Sequence, residues 1–323
     1  MKPFFKWSGG KRREIKRVRK YMPASYNTYY EPFVGGGAVW LDLEPTSAVV
    51  GDSYEDLVNF FQTLKTQPDR LVTEINSLSN KYAAAHKNLP KKPELEKEIE
   101  LLKATVKKLK NDEGASELYK EKKQTLTRLN KDLKKEFQEI AEEFYYSFRD
   151  GEPKSDLDRA LRFYILRQLS FSGMLRFGSK GNFNVPFGWY SSLKSIDVEI
   201  EEINRVLNNT RIVNCDWREC VKTATEHDFV FLDPPYTRKF TKYHPNGEFS
   251  QKEHLELAEW FSTTSTNAMI IINKDDFTNG LYSNFIKEEY GHKYSIQYRD
   301  RMKEKDSNAV HILATNYNFE KVE

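Results

Sequence analysis

The chain has 323 residues, 38% of them hydrophobic and 14% aromatic, with a formal net charge of +3. That is room for one large α/β domain with a smaller one, or for two domains sharing a site, and it is too rich in aromatics for a disordered chain. Two cysteines exclude a disulfide framework and a cysteine-based zinc site, no apolar run approaches the ~18 residues of a bilayer-spanning helix, and the N-terminus lacks the apolar core of a secretory signal, so a cytoplasmic protein is expected.

The first twenty residues carry nine Lys or Arg and one acid, Glu14. Such an arm meets phosphates or forms a solvated basic face, and charge alone does not separate the two. Residues 28–33 read as a strand entering the glycine turn Val34-Gly35-Gly36-Gly37, and residues 48–52 as a short apolar strand ending in an acid. From about 81 to 148 the chain is highly charged and almost free of glycine. There Leu95, Ile99, Leu102, Val106 and Leu109 form the stripe of a helix packing along a narrow seam. Residues 111–116 interrupt it, with Gly114 suited to a C-cap and Ser116 to an N-cap. A second stripe follows in Leu126, Leu129, Leu133, Phe137, Ile140 and Phe144. The pattern predicts an antiparallel helical hairpin at about 90–143, its first arm about 28 Å long. Acids are interleaved with its bases, so a self-packed insertion is favoured over a DNA-tracking arm. Residues 228–233 and 268–273 read as two further strands, the last an unbroken apolar run suited to burial on both faces. Together these elements predict a doubly wound parallel sheet, with ligands at the carboxyl ends of its strands.

The turn after the first strand lets the backbone be approached closely, by a ligand on this reading. Asp52, at the end of the next strand, stands where dinucleotide folds place an acid for ribose hydroxyls. Trp40 occupies the position of the last glycine of a G-x-G-x-x-G fingerprint, and no Walker motif is present. A nucleoside ligand without a diphosphate, such as S-adenosylmethionine, fits better. Asp233-Pro234-Pro235-Tyr236 ends the third strand. Two prolines make that turn rigid and leave carbonyl acceptors with few competing donors. A carboxylate and a carbonyl can hold both N–H groups of an exocyclic amine, favouring a more nucleophilic nitrogen and stabilising its developing charge. An aromatic ring can stack on the base, which must first leave the duplex.

These motifs resemble those of the Dam-type (alpha group, D12 class) DNA adenine N6-methyltransferases. Asp233-Pro234-Pro235-Tyr236 is similar to their D-P-P-Y motif, and residues 31–37 to their E-P-F-x-G-x-G cofactor motif. Lys6-Trp7-Ser8-Gly9-Gly10-Lys11 is similar to their K-W-x-G-G-K motif, and residues 181–188 to G-x-F-N-V-P-F-G. The resemblance implies a Rossmann-like S-adenosylmethionine-dependent methyltransferase sheet (1–70 and 191–323), a smaller, mostly helical target-recognition subdomain (71–190) and the inserted hairpin. It implies cofactor contacts from Trp7, Lys11, Glu31, Phe33, Gly35, Gly37, Asp52, Asp216, Trp217 and Asp233, with Lys11 near the cofactor's carboxylate. Catalysis would fall to Asp233, Pro234, Pro235 and Tyr236. Double-stranded DNA would be held by Arg162, Arg176, Phe177, Lys180, Asn182 and Asn184, with Arg159 and Arg167 nearby. Thr315-Asn316-Tyr317 would lie near the site.

Arg176-Phe177-Gly178-Ser179-Lys180-Gly181 departs from the Arg-Tyr-Asn-Leu-Arg-Gly of GATC-specific members. Lysine lacks the planar fork of arginine, which argues against GATC as the target. The alternatives are an N4-cytosine methyltransferase and an inactive DNA-binding relative. The sequence leaves the oligomeric state open, a monomer included, and gives no sign of membrane association. Six histidines show no ligand spacing, and methyl transfer from a sulfonium calls for no metal.

Overall fold

A computed structural model describes residues 1–87, 92–110, 115–178, 181–236, 249–293 and 308–318. The apolar runs become strands of one seven-stranded sheet, β1 (Tyr29–Glu31), β2 (Ala48–Asp52), β3 (Thr210–Asn214), β4 (Phe229–Leu232), β5 (Asn267–Asn273), β6 (Ile286–Lys293) and β7 (Asn308–Thr315). Side chains alternate across it. Phe229 and Phe231 of β4 enter one core, and Val230 and Leu232 enter the other. On β5, Met269 and Ile271 face the first core, Ala268, Ile270 and Ile272 the second. Burial on both faces is why these strands are apolar without interruption.

The helices are α1 (Ile15–Tyr21), α2 (Trp40–Leu43), α3 (Glu55–Thr66), α4 (Pro68–Lys87), α5 (Lys92–Leu109), α6 (Ser116–Asp150), α7 (Asp156–Leu169), α8 (Ile200–Leu207), α9 (Trp217–Val221), α10 (Gln251–Thr263) and α11 (Asp276–Tyr282). Residues of α3, α4, α7 and α8 build the first core, and residues of α9, α10 and α11 the second.

Strand order is β3-β2-β1-β4-β5-β7-β6. The pairs β3–β2, β2–β1, β1–β4 and β4–β5 are parallel, and β7 is antiparallel to both β5 and β6. The chain winds outward one way from β1 and the other way from β4. The crevice where the order reverses lies between those two strands, at their carboxyl ends, where a ligand is accommodated. The glycine turn, Asp52 and the Asp-Pro-Pro-Tyr turn all leave the sheet at this edge.

The strands expected over 28–33 and 228–233 are shorter than that, stopping before Pro32 and Pro234, which have no N–H to give to a ladder. The helical hairpin is present as α5 and α6. Ser116 does not cap α6: it is the first helical residue, Ala115 precedes it without a side-chain bond, and Gly114 lies outside the described residues. α6 also runs beyond 143, because its last turns belong to the body of the protein. Tyr145 is fully buried there and donates its hydroxyl to the Val185 carbonyl (2.8 Å). Further out, among the described residues of the hairpin, Ile99 and Leu129 are buried. No helix among the described residues is long and apolar enough to cross a membrane.

Candidate active site

The turn after β1 is held from beneath by Glu31, whose Oε2 accepts the Tyr29 hydroxyl (2.7 Å) and the Trp40 backbone N–H (3.0 Å). Glu31 is buried, and burial pushes its carboxyl up to about 8. Both bonds run to the protein itself. Gly35 and Gly37 adopt φ of +47° and +68°, a region that disfavours a side chain. Trp7 makes a close approach at this turn. A Cβ on Gly35 would stand 2.5 Å from Trp7 Nε1, and one on Gly36 2.7 Å from Trp7 Cβ. Trp7 is half-buried, with the Arg167 guanidinium 4.9 Å over its ring. Asp52 straps the turn to the end of β2: Oδ2 accepts the Gly35 N–H (3.1 Å) and Oδ1 the Tyr54 N–H (3.0 Å). Asp52 is half-buried, as is Phe33, which meets Phe249 edge to face at 5.6 Å.

Asp233 leaves the end of β4 half-buried, with Pro234 buried behind it and Pro235 exposed. Its partner is Lys11, whose Nζ lies 2.6 Å from Oδ1 and donates to the Gly9 carbonyl at 2.8 Å. The ammonium expected beside the cofactor's carboxylate is thus engaged with the Asp-Pro-Pro-Tyr turn, and 5.1 Å from the centre of the Tyr236 ring. Burial alone would lower the Lys11 ammonium, but Asp233 and Glu14 outweigh it and hold it above its ordinary value. Burial raises the Asp233 carboxyl, against the pull of Lys11.

Asp216 is exposed and caps α9, accepting the Arg218 N–H (3.0 Å) and pairing with that guanidinium at 2.9 Å. Trp217 is buried in the second core, edge to face with Trp260 at 6.0 Å. Thr315-Asn316-Tyr317 does not lie near the site. β7 runs against β5, so Thr315 pairs with Met269 at the opposite end of the sheet, where Asn316 accepts the Ala268 N–H (2.8 Å).

Near the start of the segment 176–184 an antiparallel bridge pairs Phe177 with Phe183, and another pairs Ser170 with Phe187. Arg176 is exposed, and its fork holds Asn184 by the side-chain oxygen (2.7 Å) and the carbonyl (2.9 Å). Asn182 is exposed beside Gly178, and Lys180 falls outside the described residues. Arg162 spends its guanidinium on the Phe148 and Arg149 carbonyls, both at 2.9 Å. Arg159 pairs with Glu55 and Asp56. Arg167 is buried, donating at 2.6 Å to both the Lys6 and the Gly173 carbonyls, and burial lowers it to about 10. The basic arm is likewise tied inward, with Arg17 and Lys20 on Glu288 and Arg19 on Asp42.

Sequence spacing did not reveal one group. His292 and His311, on β6 and β7, stack 4.3 Å apart and both face Glu14. Only the isolation of Glu14 among nine bases marked it out.

A sheet whose order reverses between β1 and β4, an acid ending β2 and an Asp-Pro-Pro-Tyr turn ending β4 define a Rossmann-like methyltransferase acting on amino groups. The chain matches the family model for D12 class N6 adenine-specific DNA methyltransferases over residues 7–302, and it belongs to that family. It is 30% identical to the Type II methyltransferase M.CviBI of Paramecium bursaria Chlorella virus NC1A, covering 98% of this chain and 100% of the relative. It is 29% identical to the Type II methyltransferase M1.LlaDCHI of Lactococcus lactis subsp. cremoris, covering 98% and 96%. Against the DNA adenine methylase of Escherichia coli K12 it is 24% identical, covering 79% and 74%. The chain is an adenine-specific DNA methyltransferase.

Proposed function

We propose that Asp233 and the Pro234 carbonyl hold the amino group of a flipped-out adenine in double-stranded DNA, with Tyr236 against the base. The observation that carries this reading is the Lys11–Asp233 pair: the ammonium sits on Oδ1, and Oδ2 is the oxygen that would take an N–H. Lys11 also opposes the tendency of burial to protonate Asp233, and an ionised carboxylate is what stabilises positive charge growing on the amine. Pro234 cannot turn an N–H toward the site, so its carbonyl stands without a competing donor.

The residues at the β1–β2 edge suit S-adenosylmethionine. The half-buried Asp52 carboxylate, bound to the Gly35 and Tyr54 N–H groups at the end of β2, would accept the ribose hydroxyls. Trp7, against the backbone of Gly35 and Gly36, and the half-buried Phe33 offer apolar walls for the cofactor. When bound, S-adenosylmethionine supplies a methyl group on a sulfonium, leaving S-adenosylhomocysteine, and no metal takes part in this reading. Glu31, Asp216 and Trp217 support this edge by fixing the turn and α9.

The segment 176–184 meets DNA through Arg176, Phe177, Asn182 and Asn184, and Lys180, outside the described residues, joins them. The body of the protein (1–70, 191–323) then carries chemistry, and 71–190 carries recognition, of a site other than GATC. The reaction takes place inside the cell, on nucleoid DNA, in a restriction–modification setting like that of the Type II methyltransferases it resembles.

Asp233→Ala tests the reading. Methylation of double-stranded DNA by the purified variant should fall by at least about a hundredfold, with the fold retained and S-adenosylmethionine affinity little changed, while the melting temperature falls because the buried Lys11 loses its nearer counter-ion. Turnover equal to the parent would remove Asp233 from the mechanism.

A further inference from the structure

Behind the Asp-Pro-Pro-Tyr turn lies a second group of buried ionisable side chains that the reaction above does not use. Glu14 is 1% exposed. Its Oε1 accepts the Nδ1–H of His311 at 2.8 Å, and Nδ1 of His292 lies 3.0 Å from the same oxygen. Its Oε2 is buried without a hydrogen-bond partner among the described residues. Three ligand-type atoms within 4.8 Å of one another invite a metal. The ring planes answer that: a metal-bound imidazole holds the ion in its own plane, and two planes only 9° from parallel, with centroids 4.3 Å apart, meet only far from both nitrogens. As built, the group is a hydrogen-bonded carboxylate.

That carboxylate carries a charge. Burial would raise Glu14, but the His311 bond and the Lys11 charge hold it below its ordinary value. Lys11 is a buried ammonium paired with Asp233, and Glu14 lies one turn on, its N–H bonded to the Lys11 carbonyl at 2.8 Å, so the Lys11 charge feels both carboxylates. A buried ammonium with a single carboxylate forms a tight neutral pair, and a carboxylate so neutralised is a weak acceptor for an amine. A second anion shares the ammonium and leaves Asp233 more basic.

We propose that Glu14, oriented by His311, is a positioning residue for methyl transfer that shares Lys11 with Asp233 and so keeps the catalytic carboxylate available to the adenine amine. This rests on Asp233 being the acceptor. The groups around Asp233 are Lys11 and Glu14 from the N-terminal segment, Tyr29 and Glu31 from β1, and His311 from β7. Glu14 is faced by Lys11, His311, His292 and Tyr290, with Arg17 4.0 Å from the centre of the Tyr290 ring. After burial, Glu14 is a further influence raising Asp233, whereas Lys11 lowers it.

Glu14→Gln keeps an oxygen for His311 and removes only the charge. The full-length enzyme should lose roughly tenfold in kcat, as for loss of an outer-shell partner, with KM for DNA and for S-adenosylmethionine within about twofold. The acid limb of its kcat–pH profile should move to lower pH, because Asp233 loses a neighbour that raised it. His311→Ala should behave the same way, and His311→Asn, which keeps a donor near Nδ1, should restore most of the rate. If Glu14→Gln does not fold, Glu14→Asp, which draws the charge back by one methylene, should give a smaller shift of the same sign. An unchanged kcat and pH profile in a folded Glu14 variant, or loss of thermal stability alone, overturns the proposal. Inactive Asp233→Ala beside an unaffected Glu14→Gln would overturn this inference alone. Active Asp233→Ala would overturn the acceptor reading as well.

Discussion

Glu31 is a carboxylic acid kept neutral so that it can sit inside the protein, accepting two hydrogen bonds under the glycine turn. Its folded-state value of about 8 lies above the ordinary 4.5. The unfolded chain therefore loses the proton first as pH rises, and stability falls between those two values and levels off beyond the upper one. Glu31→Gln, isosteric and neutral, should raise the melting temperature by several degrees at pH 8 and leave it unchanged near pH 4. Equal melting of variant and parent at pH 8 would show that the carboxyl is ionised in the fold. Asp52 should act on the ligand instead. Asp52→Ala should weaken S-adenosylmethionine binding by about tenfold or more in calorimetry, the worth of a charge-assisted hydrogen bond, while kcat at saturation changes little. Unaltered affinity would take Asp52 out of the cofactor site. Asp52 and Asp233 stood out in the sequence because each is an acid at the end of an apolar strand. The surroundings of Glu31, Asp216 and Trp217 were not legible, because their partners Tyr29, Arg218 and Trp260 are set by the fold, and nothing in a linear motif records which way a side chain turns.

At the scale of elements the hairpin was plain from its two stripes, and its inner end was not. α6 keeps the same helical period while its environment changes from the partner helix to the core, so period alone marks no boundary at Tyr145. The hairpin should be dispensable. Replacing residues 92–134 by a short glycine–serine link removes Ile99 and Leu129 together and spares Ala141 and Tyr145, which are buried in the main core. The shortened protein should methylate DNA at nearly the parental rate and bind it with nearly the parental affinity. Binding weakened more than about tenfold, the mark of several lost phosphate contacts, would make the hairpin a DNA arm. β6 and β7 escaped the sequence reading because β6 is a charged edge strand, with Lys287, Glu288 and Glu289 in succession. With β7 unplaced, Asn316 was set at the wrong end of the sheet, and the meeting of His292, His311 and Glu14 was invisible.

At the scale of the molecule, the order of motifs along the chain was enough for fold class and chemistry, since β1, β2 and β4 each carry their motif at the carboxyl end. The third dimension adds the N-terminal segment, which crosses the crevice to lay Trp7 over the glycine turn and Lys11 against Asp233. Residues far apart in sequence thereby converge on the two strands where the sheet reverses. The most direct measurement is single-molecule sequencing of genomic DNA from a methylase-free host expressing either the parent chain or Asp233→Ala. The account predicts N6-methyladenine at one short motif other than GATC with the parent and none with the variant. Equal methylation in both strains, or N4-methylcytosine in place of N6-methyladenine, would contradict it.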